Sequence, residues 1–177
     1  PYCWYGMKGL DEFGARLARY MTKAAKEAKF RMSGSSPIQA YDAAVAEFPG
    51  KMFVREAFVG DVRRFVEMLD PYGASNGLAR CLLKLCAPGI PDTYWGSEGW
   101  NQSLVDPDNR RTPDFDALAG TLDAIVARED ERGSLAKELL ARYRDGAVKA
   151  YVTHVALDAH RRHREMFLQG DYVALET

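Results

Sequence analysis

Apolar residues recur at helical spacing along most of the chain. From residue 10 to about residue 31 they return every three or four positions, which predicts one amphipathic helix. Ser36 and Pro37 are typical of a helix start, because serine caps a helix and proline is favoured in its first turn. Pro49-Gly50 is predicted to end this second helix. A third helix is then expected over about residues 52–69.

The remaining pattern adds four further helices and two short strands. Asp70-Pro-Tyr-Gly predicts a turn, and Gly170 is expected in the left-handed conformation after the last helix. The further helices are predicted over residues 74–87, from Pro113 or Asp114 through Val126, over 134–144 and over 148–168. The possible strands are residues 92–95 and 171–175. The fold class is therefore mainly α, a bundle of about seven helices with one or two short strands.

Charge and composition exclude several classes of partner. The chain has 24 Lys and Arg against 25 Asp and Glu, so it lacks the basic excess that nucleic acids or anionic membranes attract. No apolar run approaches the roughly 20 residues that span a bilayer. We therefore predict neither a nucleic-acid nor a membrane partner. The chain begins at Pro1 rather than methionine, so it is expected to be a piece of a longer protein.

The cysteines and histidines do not indicate a metal site or a cofactor. Cys81 and Cys86 lie among leucines and are predicted to be buried thiols in a reducing, cytoplasmic compartment. His154, His160 and His163 share the last long helix without a third ligand at suitable spacing.

One segment, PGIPDTYWGSEGWNQSLVDPDNRR at residues 88–111, departs from the helical pattern. It combines Tyr94, Trp95 and Trp100 with carboxylates, amides and a closing Arg-Arg pair. Sugar sites use aromatic faces for stacking and charged groups for the hydroxyls. The alternatives are that the aromatics are core residues and that residues 106–111 form a solvated loop held by Asp–Arg pairs. A bidentate Arg–Asp pair would instead make that loop a rigid polar wall.

Two motifs in this segment resemble known enzymes. PGIPDTYWGSE resembles the eighth-strand segment of the α-amylase superfamily barrels, and SLVDPDNRR resembles the signature of the maltooligosyl trehalose synthase family. Further similarity to that family lies in residues 20–29, Ser36-Pro37, Tyr41, residues 145–149, 161–167 and 170–172. The resemblance therefore covers nearly the whole chain, in the family's order.

This resemblance implies that the chain is an excised C-terminal part of an amylase-type (β/α)₈ barrel enzyme. Residues 1–87 would be a helical insertion between barrel strands seven and eight. Residues 88–170 would supply strand eight, a substrate-side loop and helix eight, and residues 171–177 would start a C-terminal β domain. The rest of the parent barrel would then be a structural partner of this chain.

The resemblance also implies a reaction and a division of roles. The family converts the reducing-end α-1,4 linkage of maltooligosaccharides to an α,α-1,1 linkage by intramolecular transglucosylation. Its three catalytic carboxylates would lie upstream of Pro1, so no catalytic residue is assigned here and the isolated chain is expected to be inactive. The residues expected to bind sugar on the acceptor side are Tyr94, Trp95, Glu98, Trp100, Asp106, Arg110 and Arg111.

The sequence departs from the family pattern at Gly34, Trp95, Gly99 and Asn101, which leaves the individual sugar contacts open. Two other functions stay open at this point. A non-catalytic helical interaction module fits the helices and the neutral charge, and another amylase-type glucanase fits PGIPDTYWGSE. Neither accounts for SLVDPDNRR.

Overall fold

Seven α-helices form most of the part of the chain that the structure describes. The computed structural model describes residues 9–29 and 38–175. We number the helices α1 (Leu10–Ala28), α2 (Gln39–Phe53), α3 (Glu56–Cys86), α4 (Phe115–Val126), α5 (Arg132–Ala141), α6 (Ala147–Arg162) and α7 (Arg164–Gln169). Within the described residues there is no strand, so the two strands predicted over 92–95 and 171–175 do not form in this chain. The mainly α class is confirmed.

The chain divides into two compact units. The first contains the described residues up to Asp70 together with Gln102–Arg111, and the second contains Pro71–Asn101 and the described residues from Thr112 onward. In the first unit α1 packs against α2, and the rings of Phe13 and Phe53 meet edge to face at 5.4 Å. The loop that carries the SLVDPDNRR motif belongs to this unit.

The second unit holds the larger apolar core. Its main cluster joins α4, α5 and α6 through Ile125, Leu135, Leu139, Val148 and Ala150. A smaller cluster joins α3 to α6 through Cys81, Leu85 and Ala156. The Asp114 side chain caps α4 by accepting a hydrogen bond from the Ala117 amide at 3.0 Å, as the predicted start at Pro113 or Asp114 requires.

Two predicted helix breaks are wrong. Pro49-Gly50 lies inside α2, and Asp70-Pro-Tyr-Gly lies inside α3, which continues to Cys86. Proline within a helix removes one hydrogen bond and strains the preceding turn at a cost of about 3 kcal/mol. Pro49 is fully buried, and Ala74 is buried one turn after Pro71. Burial at these positions therefore outweighs the local preference for a break.

The C-terminal helix also differs from its prediction. The predicted helix over 148–168 is interrupted at His163, so α6 and α7 are separate. Gly170 is extended rather than left-handed, and a Cβ there would lie 2.4 Å from the Met166 carbonyl oxygen, so close approach is what requires glycine. Cys86, predicted to be buried, is exposed, whereas Cys81 is buried as predicted.

Leu139 and Leu140 give a direct test of the second unit's core. Leu139 has no exposed surface, whereas its neighbour Leu140 is 57% exposed. Leu139→Ala is expected to lower the free energy of unfolding by about 2–5 kcal/mol, because it removes buried methyl groups and leaves a cavity. Leu140→Ala is expected to change it by less than about 0.5 kcal/mol. Urea denaturation measures both, and equal losses would contradict the packing described.

Candidate functional site

The seven residues expected to bind sugar belong to both units. Asp106, Arg110 and Arg111 lie in the first unit, on the loop Gln102–Arg111. The other four, Tyr94, Trp95, Glu98 and Trp100, lie in the second unit. Each group has its own supporting contacts.

The loop of the first unit is held by a buried ion pair with helix α1. Arg16 donates two hydrogen bonds to the Asp108 carboxylate, from Nε to Oδ1 at 2.9 Å and from Nη2 to Oδ2 at 2.8 Å. Arg16 is 4% exposed and Asp108 is 9% exposed. Removing one partner of such a pair leaves an uncompensated buried charge, which typically costs about 3–5 kcal/mol.

The same two side chains also bind the loop backbone. Arg16 donates to the Gln102 carbonyl at 3.0 Å, and Asp108 Oδ2 accepts the Leu104 amide at 2.7 Å. The Arg–Asp pair therefore fixes the loop at three positions along its length: Gln102, Leu104 and Asp108 itself.

The predicted sugar-binding residues of this loop lie on its exposed side. Asp106 pairs with Arg110, and the Lys23 Nζ of α1 lies 3.7 Å from Asp106 Oδ2. Arg111 donates from Nε to the Asp108 carbonyl at 3.1 Å and from Nη2 to Ser103 Oγ at 3.3 Å. The side chains of Arg110 and Arg111 remain more than half exposed, so part of each guanidinium group is accessible to solvent.

The predicted bidentate Arg–Asp pair exists, but its arginine comes from outside the loop. Sequence reasoning missed Arg16. The available signal was its place between Phe13 and Leu17 on α1, since a charged residue beside an apolar stripe predicts a buried partner. Nothing in the sequence pattern indicates that this partner is Asp108, 92 residues away.

The pKa of the Asp108 carboxyl is lowered from its usual value. Burial alone raises this pKa, but the hydrogen bonds from Arg16 and the Leu104 amide and the charges of Arg111 and Arg16 outweigh burial. The carboxylate is therefore ionised at neutral pH, as the bidentate pair requires.

In the second unit, Trp100 is a structural residue as well as a candidate sugar contact. Its indole Nε1 donates to the Tyr143 carbonyl at 2.6 Å. Gly77 of α3 lies against the ring, where a Cβ would come within 2.9 Å of it. Gly146 lies against the same residue with φ of 87°, so it needs glycine both for space and for backbone conformation. Two glycines thus make room for one tryptophan.

Lys149 of α6 supports the segment between Glu98 and Trp100. Its ammonium group donates to the carbonyls of Ser97 at 2.6 Å and Gly99 at 3.0 Å, and lies 5.9 Å from the centre of the Trp100 ring. Burial lowers the pKa of this amine, and the Glu98 carboxylate partly opposes that effect. The half-buried cation therefore has carbonyl, carboxylate and aromatic neighbours.

Tyr94 and Trp95 are the exposed members of the second group, whereas Glu98 is half-buried. Trp95 is 61% exposed and contacts Phe115 with ring centres 5.8 Å apart. Glu98 lines a cavity of about 700 Å³ whose walls include Phe115, Leu118 and Leu157. No described residue donates a hydrogen bond to its buried Oε2. Tyr94 is 52% exposed.

The described residues contain no group of three or more His, Cys, Asp or Glu side chains arranged to hold a metal ion. None of the helices in the described ranges has the length and apolar character needed to cross a membrane.

Comparison with known proteins gives consistent matches. No family model matches the chain. Proteins from two strains of Mycobacterium tuberculosis, provisionally named maltooligosyl trehalose synthases, are 32% identical over 157 residues, which is 89% of this chain. A crystal structure of maltooligosyl trehalose synthase superposes on 99% of this chain with a TM-score of 0.87 and 29% identity. The maltooligosyltrehalose synthase of Arthrobacter ramosus superposes on 86% with a TM-score of 0.66 and 36% identity.

The chain spans about a fifth of each of these proteins. It covers 18% of the Mycobacterium tuberculosis relatives, 24% of the first structure and 19% of the Arthrobacter ramosus enzyme. The similarity therefore covers one segment of each of these longer proteins.

The lowered pKa of Asp108 predicts a specific acid dependence. Its folded-state pKa lies below the usual 3.8, so the stability it contributes is present above that pH and is lost as the pH falls through the lower folded value. Asp108→Asn lacks this contribution. The difference in melting temperature between wild type and Asp108→Asn should be large near pH 7 and narrow below about pH 4. A difference that does not change with pH would contradict the ionised pair.

The contacts of the two tryptophans predict losses of stability of different size for the same substitution. Trp100→Phe removes the donor to the Tyr143 carbonyl and is expected to cost about 1–3 kcal/mol of unfolding free energy. Trp95→Phe, on an exposed side chain, is expected to cost less than about 0.5 kcal/mol. Chemical denaturation compares the two, and equal effects would show that the Trp100 hydrogen bond does not contribute.

Proposed function

Because the chain matches one part of the maltooligosyl trehalose synthases in both sequence and structure, we propose that it is a working part of such an enzyme. The parent would act on maltooligosaccharides. It would move the terminal glucose from the α-1,4 linkage to an α,α-1,1 linkage, without net consumption of water. The observation that supports this most strongly is the superposition on 99% of the chain with a TM-score of 0.87.

The proposed reaction is an internal transfer. A carboxylate of the parent attacks the anomeric carbon of the last α-1,4 bond, and a second carboxyl group of the parent gives its proton to the departing O4 of glucose. The same glucose then turns and attacks the glycosyl-enzyme through its anomeric hydroxyl, whose proton returns to that second group. The new bond forms as the bond to the first carboxylate breaks. The glucose must stay bound between the two steps, and water must be excluded, or the products are free glucose and a shortened chain.

We assign the retention of this glucose partly to residues of this chain. The exposed guanidinium groups of Arg110 and Arg111, with Asp106, are suited to hydrogen-bond sugar hydroxyls. The exposed aromatic side chains of Tyr94 and Trp95 are suited to stack on a pyranose ring. Glu98 and Trp100 belong to the same proposal, Glu98 through its carboxylate and Trp100 through the part of the indole that remains exposed.

The catalytic carboxylates would come from elsewhere in the parent. No residue of this chain is proposed as nucleophile or general acid, and the 177-residue chain alone is expected to produce no trehalosyl product. Exposed apolar side chains such as Phe65, Met68 and Leu83 would pack against the remaining part of the parent. The domain assignment of residues 1–87, 88–170 and 171–177, and a cytoplasmic location, belong to the same proposal.

The experiment is a product analysis of the full-length protein that contains this segment. Wild type should convert maltopentaose to a trehalosyl product with little free glucose. Arg110→Ala should lower kcat/KM by about 10–100-fold and raise the share of glucose, because a charged hydrogen bond contributes about 1.5–3 kcal/mol. Arg64→Ala, which removes another exposed arginine paired with an aspartate, is the matched control and should leave both values unchanged.

Three results would contradict the proposal. A wild-type protein that releases glucose without trehalosyl product would be a hydrolase. Turnover by the isolated chain would place the catalytic groups here. Identical product ratios in Arg110→Ala and Arg64→Ala would remove Arg110 from the sugar site.

A further inference from the structure

Helix α1 contacts the loop Gln102–Arg111 at two positions. Arg16 and Lys23 are seven residues apart, so two turns of helix bring them to the same face. Arg16 binds Asp108 inside the unit, and Lys23 approaches Asp106 near its surface. The loop therefore lies along α1, with a buried contact at one position and a partly exposed contact at the other.

The buried contact determines how the exposed residues are presented. Asp108 is the first residue of the short 3₁₀ turn Asp108–Arg110, and Arg111 follows that turn directly. Its carboxylate accepts hydrogen bonds from Arg16 and the Leu104 amide, and its backbone carbonyl accepts one from Arg111 Nε. Any displacement of the Asp108 side chain moves the backbone from which Arg110 and Arg111 project.

We propose that Arg16 is a positioning residue of the enzyme: it fixes the loop Gln102–Arg111 so that Arg110 and Arg111 can hold the released glucose. Arg16 itself is buried and does not touch substrate. This inference rests on the proposed function for its catalytic consequence. Its structural consequence, an ordered loop, stands independently.

The geometry requires arginine at this position. One guanidinium group makes two parallel bonds to Asp108 and a further bond to the Gln102 carbonyl. A lysine ammonium keeps the charge but has no planar fork, so it cannot reproduce this arrangement. Arg16→Lys therefore separates the contribution of charge from that of geometry.

A purely structural role for the pair predicts a different outcome from a positioning role. Buried ion pairs replaced on both sides by apolar side chains often retain or gain stability. The double variant Arg16→Met/Asp108→Leu should therefore recover much of the stability that Arg16→Met or Asp108→Asn loses alone. It cannot accept the Leu104 amide or donate to the Gln102 carbonyl, so loop positioning should remain lost.

The experiment compares full-length wild type, Arg16→Lys, the double variant and Arg19→Lys. Arg19 lies on the same helix and is exposed, which makes Arg19→Lys the matched control. Three quantities are measured: the melting temperature, the ratio of trehalosyl product to glucose from maltopentaose, and hydrogen exchange in peptides covering residues 102–111. Arg16→Lys should raise the glucose share and the loop exchange rate by about tenfold or more, whereas Arg19→Lys should match wild type.

The double variant should have a melting temperature close to that of wild type while its product ratio stays low. A double variant with both a wild-type melting temperature and a wild-type product ratio would overturn the proposal, and so would equal exchange rates in Arg16→Lys and Arg19→Lys. If wild type forms no trehalosyl product, the proposed function fails. The exchange rates then still decide whether Arg16 positions the loop.

Discussion

The first unit depends on one constraint: a guanidinium group and a carboxylate removed from water must satisfy each other. Arg16 and Asp108 meet this requirement with two parallel hydrogen bonds and use their remaining capacity on the Gln102 carbonyl and the Leu104 amide. A loop without regular strand or α-helix is thereby given a defined path, because the alternative is an unpaired buried charge. The exposed arginines owe their placement to residues that do not reach the surface.

In the second unit a loop segment is likewise held by a helix cation, here a lysine rather than an arginine. Lys149 donates hydrogen bonds to the carbonyls of Ser97 and Gly99. Trp100 donates to the Tyr143 carbonyl, and its ring packs against Gly77 and Gly146. In each unit a cation from a helix satisfies the backbone of a segment that lacks its own hydrogen-bond ladder. Both segments lie within residues 88–111, the part of the chain that departs from the helical pattern of the sequence.

Several apolar side chains of the described helices remain exposed. In α3 these include Phe58, Phe65 and Leu69, whereas Val59 is buried. Helical periodicity identifies which face is apolar but not what covers it. The chain spans about a fifth of the length of the relatives it matches, and the proposal that it is part of such an enzyme would supply a surface to cover these faces.

The sequence by itself determined the mainly α class, the start of α4 at Asp114, the buried Cys81 and the relationship carried by SLVDPDNRR, because each depends on residues that are neighbours along the chain. It did not determine that α2 and α3 continue through Pro49 and Pro71. Sequence alone shows the local preference of proline for a helix break, whereas the burial that outweighs this preference depends on tertiary packing. Nor did it identify Arg16 as the partner of Asp108. That pair joins residues 92 positions apart, and only the packing of a loop along a helix brings them together.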